Sequence, residues 1–397
     1  MSSRGARAAI YVSVLLYTAA ASALHLLVPA YLSRGLHLGP AAIGAVVGVF
    51  GLASLAARLP VGAIYTDRRS GLLIVVGGGI SAGAFVLVPL VHGVVPFGAL
   101  LALDGLGWSL ATTAQLALLV ASTEGRSTAA AMGWYSGFTG LGNMVAGVMA
   151  GVSADMLGFR ASFFALAGLL AVGTLLLVQA ARVVTAQRGA VLAAVERRPR
   201  VSRRILSMPA AVWAGVLVMF YINFVNGVFN TFQPVIALAA GLSLTQIGIL
   251  SSCRSWSSSS VRLSSGALFT RIRPEALTVP LVVIAAGSMF VLPSFPGSFF
   301  FQLPLFLAVG VSRGLLRVTG SAEAFDRRGE HGMTAALLHA GLDLGKVAGP
   351  VLAGLLAQVI GIAGMFRVLP ILLVACYLPF HLAARRATPA FGPPEAP

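Results

Sequence analysis

The stretch RLPVGAIYTDRR, Arg58 to Arg69, returns as RLSSGALFTRIR, Arg262 to Arg273, at an offset of 204 residues. A second echo follows at an offset of 203, where Gly142, Ala150, Gly151, Ala154, Gly158 and Phe163 reappear as Gly345, Ala353, Gly354, Ala357, Gly361 and Phe366. Two copies of a unit of about 200 residues stand in tandem, and internal repeats of this kind mark secondary transporters.

The composition around the repeat excludes a soluble globule. Charged residues make up 10% of the chain and the mean hydropathy is +0.92, whereas soluble domains carry about 25% charged residues. Apolar runs of roughly 20 residues suffice to cross a ~30 Å hydrocarbon core. Twelve are expected, at 8–31, 40–63, 71–93, 95–121, 130–153, 161–181, 209–238, 246–270, 277–294, 297–318, 333–357 and 363–384. The fold class expected is an all-α membrane protein with two six-helix bundles related by a pseudo-two-fold axis. Residues 1–181 would form the N-terminal bundle, 182–208 a cytoplasmic linker and 209–397 the C-terminal bundle.

The formal net charge of +16 is explained by topology rather than by nucleic acid. Arg4, Arg7, Arg68, Arg69, Arg126, Arg271, Arg273, Arg327, Arg328, Arg385 and Arg386 all fall in connections on one side. The opposite connections hold only Arg34, Asp155 and Arg160, with Arg367 at a helix start. By the positive-inside rule both termini are cytoplasmic and the protein sits in the cytoplasmic (inner) membrane. The arginine-rich linker would rest on anionic headgroups. A cleaved leader over the first span would leave an odd number of spans and break the repeat. Cys253 and Cys376 read as packing residues, and no metal or cofactor is expected.

The loop after the second span resembles the hallmark of the major facilitator superfamily, G-x-x-x-D-[RK]-x-G-[RK]-[RK] with an Arg four residues before the first Gly. Here Arg58, Gly62, Asp67, Arg68, Arg69 and Gly71 supply it, with Asp67 one residue further from Gly62 than in the family pattern. The resemblance covers essentially the whole chain. It implies a gating role for Arg58, Gly62, Asp67 and Arg68 on the cytoplasmic face, and a central cavity built from the first, fourth, seventh and tenth helices. It also implies that the third, sixth, ninth and twelfth helices face lipid. Many drug antiporters of the family carry a Gly-Pro pair in the fifth helix; this chain has Gly147-Val148 there, and Gly349-Pro350 in the eleventh.

Helical phase sorts the polar residues within the spans. One face of the first carries Tyr11, Thr18, Ser22 and His25, and one face of the fourth carries Asp104, Trp108 and Gln115. The seventh aligns Asn223, Asn226, Asn230 and Gln233; the tenth Gln302, Arg313 and Arg317; the eleventh His339, Asp343 and Lys346. Charge at membrane depth is costly and marks function. Lys346 is the only lysine of the chain, and Asp343 one turn away is its expected ion-pair partner. The eighth span is so rich in serine, with Arg254 and Arg262, that hydropathy alone would reject it. The repeat keeps it, as a helix whose hydroxyls bond back to its own carbonyls. Arg254 then either snorkels to the interface or anchors an anion.

These residues predict a secondary active transporter moving a small solute by alternating access. Asp343, with Asp104 and His25 next in line, would couple transport to protons. Lys346, Arg254, Asn223, Asn226, Asn230, Gln115 and Arg313 would contact substrate. The depth charges, Arg254, Arg313, Arg317 and Lys346 against Asp104 and Asp343, lean the cavity toward an anionic or amphipathic solute. A multidrug/proton antiporter is the alternative in the same class, and a non-transporting membrane sensor the alternative outside it. No P-loop supplies ATP and no metalloprotease motif suggests an enzyme. The expected partners are the small-molecule substrate, protons and membrane lipid, with no nucleic acid, and the protein is expected to work as a monomer.

Overall fold

The computed structural model describes residues 3–64, 69–121, 128–188, 210–269, 274–325 and 331–386. These form ten α-helices: α1 (Ser3–Arg34), α2 (Pro40–Ile64), α3 (Ser70–Leu87), α4 (Val94–Ala121), α5 (Thr128–Arg188), α6 (Ala210–Ala239), α7 (Leu244–Phe269), α8 (Pro274–Val291), α9 (Phe299–Phe325) and α10 (His331–Arg386). Short 3-10 turns follow α3 at Val88–Leu90 and α8 at Leu292–Ser294, one repeat apart.

At 61 and 56 residues, α5 and α10 are about three times longer than the hydrocarbon core requires. Neither is straight. Gly158 (φ 76, ψ 168) and Gly361 (φ 75, ψ 163) break them at repeat-related positions, in a region of φ that residues with a Cβ rarely adopt. The chain reverses at each break. Gly142, before the first break, lies against Leu15, Thr18 and Ala19 of α1, and Gly173, beyond it, lies against Leu16 and Tyr17 of the same helix. In α10, Gly345 lies against Phe220 and Phe224, while the Tyr377 ring past the break is 5.9 Å from that of Tyr221. Each long helix is therefore two antiparallel limbs.

The packing repeats as the sequence does. Up to Arg188, α1 packs on α5, and α2 and α3 pack on α4; beyond Ala210, α6 packs on α10, and α7 and α8 pack on α9. The two bundles meet along two seams, α2 on α10 and α5 on α7, which an exchange of bundles converts into one another. A Cβ on Gly44 would overlap the Pro350 carbonyl, and one on Gly248 would overlap that of Gly147. Small residues bring the backbones this close where lipid provides no hydrophobic drive between helices. At the same end Asp155 accepts from the amide nitrogens of Leu244 and Thr245 at 3.3 and 2.7 Å, capping α7, and Arg34 donates to the Leu238 carbonyl at 2.9 Å.

Among the described residues nine helices are long and apolar enough to cross a membrane, and α7 is not one of them. It is helical nonetheless, through the back-bonding expected from its serines. Ser257 donates to the Arg254 carbonyl, Ser264 to that of Ser260 and Ser265 to that of Arg262. Large apolar side chains stay exposed on α3 (Leu72), the second limb of α5 (Leu175), α8 (Val283) and the second limb of α10 (Ile371), the segments expected to face lipid. The expected linker at 182–208 begins within α5, which runs on to Arg188; residues 189–208 lie outside the described residues.

Candidate substrate cavity

Between the bundles lies a cavity of about 320 Å³ whose walls come from α1, α2, α4, α5, α6, α7, α9 and α10. Its polar lining is unevenly distributed. On the α1 and α4 side stand Thr18, Ser22, His25 and Trp108; on the other stand Arg254, Arg313, Arg317 and Lys346 with three asparagines of α6.

His25 and Asp104 form a pair. Nε2 of His25 is 3.1 Å from Oδ2 of Asp104, whose side chain is 1% exposed. The imidazole is boxed by rings, 4.2 Å from Phe50, 5.7 Å from Phe85 and 6.5 Å from Trp108. An imidazole and a carboxylate in contact, walled by apolar groups and open to a cavity, can hold and release one proton. Phase alone leaves Asp104 without a charged neighbour, because its partner comes from another helix.

Asp343 is also held differently from the expectation. Its first partner is Arg58 of α2, with Nε 2.5 Å from Oδ2 and Nη2 donating to Oδ1 at 3.5 Å. Lys346 lies 3.6 Å away on the same helix. The two-pronged contact fits a guanidinium fork to a carboxylate and ties the α2–α10 seam at the end opposite Gly44 and Pro350. Arg58, expected to gate, is thus in contact with a residue expected to couple protons. Asp67 and Arg68, the other charged members of the expected gate, lie outside the described residues, while Gly62 falls within α2.

Arg254 is buried, with 3% exposure, so it does not snorkel. Its guanidinium carbon sits 6.0 and 5.8 Å from the Phe229 and Phe306 ring centres, and Nη2 donates to Asn230 Oδ1. Among the described residues Nε and Nη1 have no hydrogen-bond partner, and no carboxylate pairs with the guanidinium. Phe50 holds the equivalent position in the first bundle, as Gly105 packs on the Phe50 carbonyl and Gly310 on that of Arg254.

Of the expected substrate contacts, Lys346, Arg254, Asn223, Asn226, Asn230 and Arg313 line the cavity. Asn223 also donates to the Leu342 carbonyl at 2.9 Å, and Asn226 Oδ1 is buried without a hydrogen-bond partner among the described residues. Gln115 does not line it. That residue is buried, at 2% exposure. Gln233 and Gln302 bond to each other at 2.9 Å and leave the cavity to the asparagines. His339, Thr231 and Ser251 also line it; helical phase includes the first, whereas the other two look like ordinary helix hydroxyls in the sequence.

No curated protein sequence matches the chain. Among solved structures, a mutant form of the nucleoside transporter NupG superposes with a TM-score of 0.75 at 12% identity, covering 96% of this chain and 99% of that one. A bacterial homologue of the human lysosomal transporter Spinster, in an inward-facing and unoccupied conformation, gives 0.73 at 14%, covering 98% and 99%. Its inward-facing, occupied form gives 0.72 at 14%, covering 97% and 98%. At these identities the likeness is one of fold. The sequence profile of the Major Facilitator Superfamily matches residues 10–326, and the chain, a multi-pass membrane protein, belongs to that family.

Proposed function

We propose that the protein is a proton-coupled secondary transporter that carries a small anionic or amphipathic solute through the cavity by alternating access. Each limb of α5 and α10 then counts as one crossing, twelve in all, with both termini and the Arg58 end cytoplasmic in the inner membrane. One observation carries the proposal: Arg254 is a fully buried guanidinium that lines the cavity and has no carboxylate partner among the described residues, the cavity's Asp343 being held by Arg58 and Lys346. An unpaired buried charge is among the most costly features of a membrane interior, and an arriving anion removes that cost. A cationic drug would meet the opposite field: Arg58, Arg254, Arg313, Arg317 and Lys346 line the cavity against one acid among the described residues, Asp343, which Arg58 and Lys346 already hold.

The charges around each carboxylate reverse the expected order of the proton sites. Asp343 faces two cations, so protonating it would strand both, whereas a proton at His25–Asp104 leaves no charge unpaired elsewhere. Asp343 with Arg58 then serves as a latch, and His25 with Asp104 couples. The test is a thermal-shift screen of purified protein against carboxylates, phosphates and cationic dyes, followed by flux in proteoliposomes. Anions should stabilise the parent, and Arg254→Gln should weaken the best of them about 10- to 100-fold, the equivalent of about 1.5–3 kcal/mol for a charged hydrogen bond. Stabilisation by cationic dyes alone, unaffected in Arg254→Gln, sinks the anionic reading in favour of a multidrug exporter.

A further inference from the structure

The two seams are related by the repeat but differ in charge. In the α2–α10 seam Arg58 is held by Asp343. The corresponding positions in the α5–α7 seam are Arg262 and Gly140. A Cβ at Gly140 would lie 2.9 Å from the Ser259 hydroxyl and 3.9 Å from Nη2 of Arg262, so a carboxylate at residue 140 would reach the guanidinium. None is present there. Among the described residues Arg262 bonds only within its own helix, to the Ser258 carbonyl at 3.2 Å and the Ser259 hydroxyl at 3.1 Å.

Beside Gly140 the seam opens instead into a second cavity of about 180 Å³. Arg262, Arg313 and Arg317 line it with the hydroxyls of Tyr135, Thr139 and Ser259, and no acid does. Among the described residues none of the three arginines has a carboxylate partner. Three like charges around one small space repel one another, and a shared anion turns that repulsion into attraction. Arg313 and Arg317 also line the larger cavity, so the two spaces share a wall.

We propose that the α5–α7 seam is an anion site in its own right, where a carboxylate or phosphate group of the solute takes the place that Asp343 holds in the other seam. The bound group bridges Arg262 of α7 to the hydroxyls of α5, so the second seam is latched only while solute is present. The site rests on the anionic reading above and extends it: a solute released from Arg254 passes to Arg313 and then to Arg262 on its way to the Arg58 end.

The test titrates the purified full chain with inorganic phosphate in non-ionic detergent at constant ionic strength, following the apparent melting temperature. The parent should show a saturable rise. Gly140→Asp builds in the missing carboxylate; it should raise the melting temperature without phosphate and weaken the phosphate response at least about tenfold. Gly140→Asn adds the same bulk without the charge and should weaken it no more than about threefold. Arg262→Gln should lose the response as Gly140→Asp does, which decides the matter if the aspartate variant does not fold. If Gly140→Asp and Arg262→Gln titrate like the parent while Arg254→Gln does not, the seam site is overturned and the anionic reading stands. If the parent shows no saturable rise, the seam site fails, while the anionic reading stands or falls on the screen of carboxylates and phosphates. A rise with phosphatidylglycerol but not with phosphate gives the seam to lipid headgroups and likewise overturns the proposal.

Discussion

At the scale of single residues, the proposed function divides two tasks between two carboxylates. Asp104 lies in an apolar corner with one titratable partner, and Asp343 lies between two fixed cations. Asp104→Asn should therefore abolish gradient-driven accumulation in proteoliposomes while leaving solute exchange, which needs no net proton movement, near the parent rate. Asp343→Asn should instead slow exchange and accumulation together, because the latch is common to both. Equal accumulation in parent and Asp104→Asn would place the proton site elsewhere. What is legible at this scale is which face of its own helix each polar residue occupies. Phase cannot say what the neighbouring helix brings, so His25 and Asp104 stand in the sequence as separate candidates and Arg58 only as part of a loop motif. Asp343 with Lys346 is legible because both lie on one helix, yet the nearer partner is 285 residues away. Gln115 shares the phase of Asp104 but stands two turns beyond Trp108, and depth along a helix is invisible to a phase angle.

The helices themselves are largely readable, with one exception of each kind. Hydropathy passes over α7, and the repeat recovers it, since its partner α2 is apolar and its hydroxyls are satisfied by its own carbonyls. Conversely, the runs expected as separate fifth and sixth spans are continuous in α5 apart from one residue. Gly158 and Gly361 make these reversals without a loop, and nothing lies within 4 Å of a Cβ built at either. Alanine there would meet no steric wall but would still have to adopt positive φ. Gly158→Ala and Gly361→Ala should each cost about 1–3 kcal/mol, because φ 76° with ψ 168° and φ 75° with ψ 163° lie in a region essentially reserved for glycine. The two costs should nearly add, because the sites lie in separate bundles. Denaturant or thermal unfolding in detergent measures this, and a neutral double variant would mean that the reversals tolerate a different backbone.

For the molecule as a whole, the repeat predicts the two bundles and their seams, but not which seam end is closed. In this structure the end bearing Gly44, Gly147, Asp155 and Arg34 is packed backbone to backbone. Alternating access requires that end to part. In a protein whose Cys253 and Cys376 are replaced by serine, Asp155→Cys with Thr245→Cys should cross-link on oxidation, stop flux, and recover it on reduction. Flux that survives complete cross-linking would show that this end does not open.

The replacement of Phe50 in one bundle by Arg254 in the other gives the cavity a direction as well as a charge. A solute with an anionic head and an apolar tail would settle head toward the second bundle and tail toward Phe50, Trp108 and His25. When the bundles rock, such a cargo rides with one jaw and merely slides against the other. At Arg254 the grip then belongs to the second bundle alone, whereas the proposed proton switch, His25 with Asp104, sits in the first. Under the proposed function, two repeat-related halves divide into a holder and a trigger.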